Sequence, residues 1–174
     1  MSLSDVSSSS PLLLGGLLLS AGLSGTTLLW PQTGMAQSQS IFGQFSGSWR
    51  GSGEVIGTDG NHERIICRAT YSVGENGGSL SQTLVCASDS YRIDISSYIV
   101  ADGHSVQGHW QEATRQVQGD LTGQMGDGDF EGGVAGFGFT ATISLRASGR
   151  RQLVNITPHG GDVAKVNIVL SRGS

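Results

Sequence analysis

A chain of 174 residues provides one domain with room for a processed leader. Hydrophobic content of 37%, with 28 Gly and only 3 Pro, suits a β-protein with one wet face and many turns, and argues against a Pro-rich disordered linker. The formal net charge is −4, one Lys (Lys165) accompanies nine Arg, and no basic run exists, which excludes electrostatic capture of nucleic acid. Met1 to Gln39 has no Lys or Arg and a single acid, Asp5. Within it, Pro11 to Leu19 is an apolar run, a second short run precedes Pro31, and Gly34-Met35-Ala36 supplies the small residues a signal peptidase requires. Residues 1–36 therefore read as a secretory signal peptide and residues 37–174 as a single β-barrel domain, periplasmic or secreted. An uncleaved anchor, a misassigned start and a disordered tail compete with this reading, because the amino terminus is the leader's only positive charge. The run is short for a span of about 20 residues and is broken by Gly and Ser. No lipobox cysteine is present, so no stable membrane anchor is expected after cleavage.

After Ser40 the chain reads as ten alternating segments, roughly 48–57, 62–73, 79–88, 90–101, 104–113, 116–125, 129–135, 138–147, 151–158 and 162–172. Gaps of hairpin length permit only antiparallel neighbours. The expected fold is all-β, an antiparallel up-and-down meander of about ten strands. Closure into a barrel would hide both edges, and a two-sheet sandwich is the alternative. Pairing about Asp102-Gly103 sets Ile95 against Trp110 and Ser97 against Gly108, with one face apolar. Pairing about Ser148-Gly149 sets Ile143 against Val154. If residues 74–79 form the loop after the second strand, Val73 faces Leu80, Tyr71 faces Gln82 and Cys67 faces Cys86. The only two cysteines thus meet as a structural disulfide, at the close spacing of a non-hydrogen-bonded pair.

The first strand begins Gly47-Ser48-Trp49-Arg50-Gly51-Ser52-Gly53, which resembles the G-x-W start of calycins, the lipocalin, fatty-acid-binding and nitrobindin-type barrels. The resemblance implies that Trp49 plugs one barrel end and that Arg172, near the chain end, packs over it. Gly47, Trp49 and Arg172 are accordingly expected to be structural. Nitrobindin-like barrels also imply a haem held by a late His. None lies between Gly160 and Ser174, so no cofactor is carried over. The mature chain is similar as well to an uncharacterised family of exported bacterial proteins, through Gly47 to Gly53, Glu63 to Ala69, Cys86-Ala87-Ser88 and Leu170 to Gly173. That similarity implies export and a paired-cysteine barrel, and no activity.

Asp127 to Gly132 resembles half a calcium loop, but Gly138 stands where a bidentate carboxylate belongs, and a hairpin turn is the expected reading. His62, His104 and His159 fall at turns and His109 on an outward face, so no metal site is expected. No nucleophile elbow or other catalytic constellation can be assembled, so no enzyme is expected. Polar residues forced inward by the register, Tyr71, Gln82, Tyr91, Ser97 and Glu112, beside Trp110, are the candidate ligand contacts. Inward Gly108, Gly119, Gly123 and Gly132 either leave room in the lumen or serve strand bending. The expected function is a non-enzymatic exported barrel protein that binds a small, partly apolar ligand. A filled structural or interaction barrel of the cell envelope is the alternative.

Overall fold

The structure, a computed structural model, describes residues 40–173. The leader expected over residues 1–36 lies outside them. The strands are β1 (Gly47–Gly57), β2 (His62–Val73), β3 (Ser79–Ala87), β4 (Arg92–Asp102), β5 (Ser105–Glu112), β6 (Val117–Gly126), β7 (Asp129–Gly136), β8 (Phe139–Ser148), β9 (Arg151–Pro158) and β10 (Val163–Arg172). Each pairs antiparallel with its sequence neighbour, and β1 pairs with β10, closing the barrel. Closure leaves no strand edge open to a second chain. The barrel replaces the sandwich alternative.

Side-chain alternation sorts the wall into two faces. On β2, Ile65, Cys67, Ala69 and Tyr71 are buried while Arg64, Ile66, Arg68 and Thr70 are exposed. Outside, Arg146 pairs with Asp129 and His109 with Asp120. An apolar interior with a charged exterior is the inverse of a lipid-facing barrel. Among the described residues, no helix is long and apolar enough to cross a membrane.

Two hairpin registers differ from the sequence reading in the same way. Ile95 faces Glu112 and Ser97 faces Trp110, because Gly103-His104, not Asp102-Gly103, forms the two-residue loop. Likewise Ile143 faces Ile156, about a Gly149-Arg150 loop. Gly103 and Gly149 have φ of +59° and +57° and their successors do not, which puts Gly first, as in a type II′ turn. The register slips by two residues, so every side chain keeps its face. At Asp127-Gly128 both residues have positive φ, the type I′ pattern, and the calcium-loop echo is a turn.

Cys67 and Cys86 lie opposite each other with Cα atoms 4.1 Å apart and are bonded inside the barrel. The inward glycines are sites of close strand approach. A Cβ on Gly108 would stand 2.2 Å from the Tyr98 carbonyl oxygen, and one on Gly119 would stand 1.9 Å from that of Ala135. On Gly123 and Gly132 it would stand 2.5 and 2.4 Å from the carbonyl oxygens of Glu131 and Thr122. At Gly123 and Gly132 the missing side chain also leaves space for the Phe130 ring, 2.5 Å from where a Cβ would sit.

Candidate functional site: the barrel interior

Residues 40–46 close one end of the barrel. Two successive turns, Gly43 N–H to Ser40 O and Phe45 N–H to Phe42 O, both 2.9 Å, fold this segment inward and bury Phe42 and Phe45. Trp49 is fully buried beside them and donates its indole N–H to Phe45 O at 2.7 Å. The Arg172 guanidinium sits 4.5 Å from the Trp49 ring centroid. It donates to Gln44 O at 2.6 Å and also to Ser46 O. One cation thus covers the indole and ties down the segment that plugs the end.

Above this floor lies a cavity of about 450 Å3. Its wall is mostly aliphatic, with Leu80, Leu84, Ile95, Ile99, Leu121 and Val134 among the lining residues. It opens at the opposite end, where Tyr91, Arg115, Phe137 and Phe139 line it from three loops and the start of β8. Phe137, at the tip of the β7–β8 hairpin, is 98% exposed.

Cross-strand pairing brings Tyr71, Gln82, Ser97 and Trp110 into one row on the inner wall of β2 to β5. The row continues through Gly119 and Gly136 to Phe139, climbing from the closed end to the mouth. Tyr71 donates its O–H to Gln152 Oε1 at 3.2 Å, and Ser97 donates to Gln82 Oε1 at 3.0 Å. Burial pushes the Tyr71 phenol well above its ordinary value, against the weaker pull of Gln152, so the hydroxyl stays protonated. Trp110 donates its indole N–H to Asp120 O at 3.1 Å and meets Phe139 edge-on, ring centroids 5.8 Å apart. The indole fits because Gly136 is bare: a Cβ there would come within 3.0 Å of Trp110 Cζ2.

Tyr91 and Glu112 stand apart from the row, at the mouth. Tyr91 precedes β4 rather than lying within it, and the Arg115 guanidinium stacks 4.9 Å from its ring centroid. Glu112 is 5% exposed, and the chain occupies both its oxygens. Oε1 accepts from Asp94 N–H at 3.0 Å, from Thr114 N–H at 3.1 Å and from the Thr114 hydroxyl. Oε2 accepts from Arg115 N–H at 2.8 Å and from Arg115 Nη1 at 3.5 Å. Burial raises its pKa, but these donors together outweigh burial and hold it at about 2. The carboxylate is committed to folding the β5–β6 loop and presents no open acceptor to a ligand.

Two participants escaped the sequence reading. Gln152 is fully buried on β9 behind Tyr71, and its Nε2 has no hydrogen-bond partner among the described residues. Its parity with Val154 and Ile156 was a sufficient signal. Arg115 lies in a loop, where strand parity says nothing about direction. Among the described residues, no three His, Cys, Asp or Glu side chains gather as metal ligands.

No protein-family model matches the chain, and no curated protein sequence does. Solved structures are similar in fold. An S-type phycobiliprotein lyase from Guillardia theta aligns with a TM-score of 0.56 and 14% identity, over 77% of this chain and 91% of its own. The Rv2717c protein of M. tuberculosis aligns with a TM-score of 0.60 and 11% identity, over 75% of this chain and 94% of its own. A protein of unknown function of the DUF3598 family from Nostoc punctiforme aligns at 0.51 and 15% identity, over 75% of this chain and 48% of its own. At such identities the likeness is one of fold, and it agrees with the calycin-like barrel.

Proposed function

We propose that the protein is a non-enzymatic, exported barrel that binds a small, partly apolar ligand in its interior. The observation that carries this reading is the cavity of about 450 Å3, aliphatic along its length, plugged at one end and open at the other. Ligand sites are commonly cavities of roughly 300–1,000 Å3 with a few placed polar groups, and the row from Tyr71 to Trp110 supplies such groups. A barrel filled by its own side chains would leave no such space. One similar structure is a lyase, but the hydroxyls in this wall favour binding over catalysis. Tyr71 and Ser97 each donate to a glutamine oxygen, so neither is paired with a base that could take its proton. Export is supported by the leader pattern and by the Cys67–Cys86 bond, which oxidising compartments favour.

Native mass spectrometry of protein purified from its own host tests the reading. A retained small-molecule adduct, lost on denaturation, is expected. Protein that carries no adduct and binds no apolar dye at micromolar concentration would remove the binding function.

A further inference from the structure

The interior has a polar seam whose donors and acceptors do not balance, and this points to the chemistry of the ligand. Gln82 engages the protein through its carbonyl oxygen, which accepts the Ser97 hydroxyl at 3.0 Å. Among the described residues, nothing accepts from its two N–H groups. Turned over, the amide would donate one N–H to Ser97 Oγ and still keep the other. On β9, across the lumen from β3, the Gln152 amide nitrogen is buried behind Tyr71 and has no hydrogen-bond partner among the described residues. Gln152 does not line the cavity, so the donor within a ligand's reach is Gln82, whose amide loses its water when an apolar ligand enters unless that ligand brings an acceptor.

The seam also lacks charge. Formal charges among the cavity-lining residues, Glu112, Arg115 and Asp162, all lie at the mouth. Arg115 is held there by Glu112, by Arg92 O at 3.2 Å and by the Tyr91 ring. A carboxylate pushed down to Gln82 would surrender its hydration and find no counter-ion. A ligand with a neutral acceptor meets donors without that loss.

We propose that the cavity selects apolar molecules that bear an uncharged hydrogen-bond acceptor, a carbonyl or ester oxygen, which Gln82 N–H receives in the inner half of the barrel. This rests on the ligand-binding reading above and names its substrate class. The test uses three probes of matched chain length, dodecane, methyl dodecanoate and dodecanoate. Each competes with the neutral dye N-phenylnaphthylamine, at a pH where dodecanoate is ionised. The ester should displace the dye about tenfold more tightly than either other probe, the worth of one net hydrogen bond. In Gln82→Met the ester should lose that advantage while dodecane binds as before. Ser97→Ala, which leaves the amide in place, should keep it.

An ester no tighter than dodecane, or a tighter dodecanoate, overturns the substrate class while leaving the cavity as a binding site. An ester preference that persists in Gln82→Met overturns the assignment of Gln82. If that variant does not fold, the wild-type series alone decides. Failure of all three probes, and of the dye itself, overturns the binding reading beneath.

Discussion

A carboxylate at 5% exposure is stable only if donors replace the water it has lost, and Glu112 meets them from Asp94, Thr114 and Arg115. Glu112→Gln sets an amide N–H against some of these donors. It should cost about 2 kcal/mol at neutral pH by urea denaturation. The sign of the pH dependence follows from the depressed pKa. The carboxylate's contribution is complete above its ordinary 4.5 and disappears as pH falls through about 2. Wild type and variant should therefore converge between those values, and a constant gap would show that Glu112 acts through its shape alone. Arg172 makes a parallel case at the plugged end. Arg172→Ala removes the cover on Trp49 and the ties to Gln44 and Ser46, for a loss of about 2–3 kcal/mol. Arg172→Lys should recover less than half of it, since an ammonium cannot lie flat on the indole and reach both carbonyls. The G-x-W start and the late Arg made this contact legible in the sequence. The partners Gln44 and Ser46 were not, because they sit in turns that carry no alternation.

At the scale of the hairpin, short gaps and period-two patterning were enough to place all ten strands within a few residues. Turn chemistry was read less well: Asp102-Gly103 and Ser148-Gly149 suggested Gly in the second loop position, whereas the structure places it first. Period two forgave the slip, since a two-residue shift exchanges partners but not faces. Two glycine substitutions separate the roles glycine plays here. Gly149→Ala strains a turn at φ +57° with open space around it and should cost about 1 kcal/mol. Gly119→Ala drives a methyl against the Ala135 carbonyl oxygen and Gly136 Cα of the next strand, and should cost about 3 kcal/mol. Thermal melts of the two variants, side by side, check the order. The Cys67–Cys86 bond ties the β2–β3 hairpin across 19 residues of sequence. Replacing both cysteines by Ala should lower stability by about 3 kcal/mol through loop-closure entropy. Refolding of the variant in reducing buffer should match its refolding in oxidising buffer, while wild type should be weakened by reductant.

For the molecule as a whole, closure of β1 onto β10 removes the exposed edges and encloses a space that the strand pattern does not predict. Strand parity says which side chains point inward. The width of the lumen depends on how far each reaches across, and on where bare glycines draw neighbouring strands together. The plugged end, by contrast, was implied by the resemblance, which set Trp49 and Arg172 there. An empty apolar cavity forgoes contacts that a ligand or a larger side chain can restore. These two ways of filling it make opposite predictions for ligand dependence. A ligand at a hundredfold excess over its Kd should stabilise wild type by about 2.7 kcal/mol, an upward shift of several degrees in the melting midpoint. Val134→Phe places an aromatic ring in the same space from the inner wall of β7. It should melt at or above the wild-type midpoint without ligand and show less than a third of the ligand-induced shift. A variant that is less stable yet still fully responsive would mean that the ligand occupies some other part of the protein.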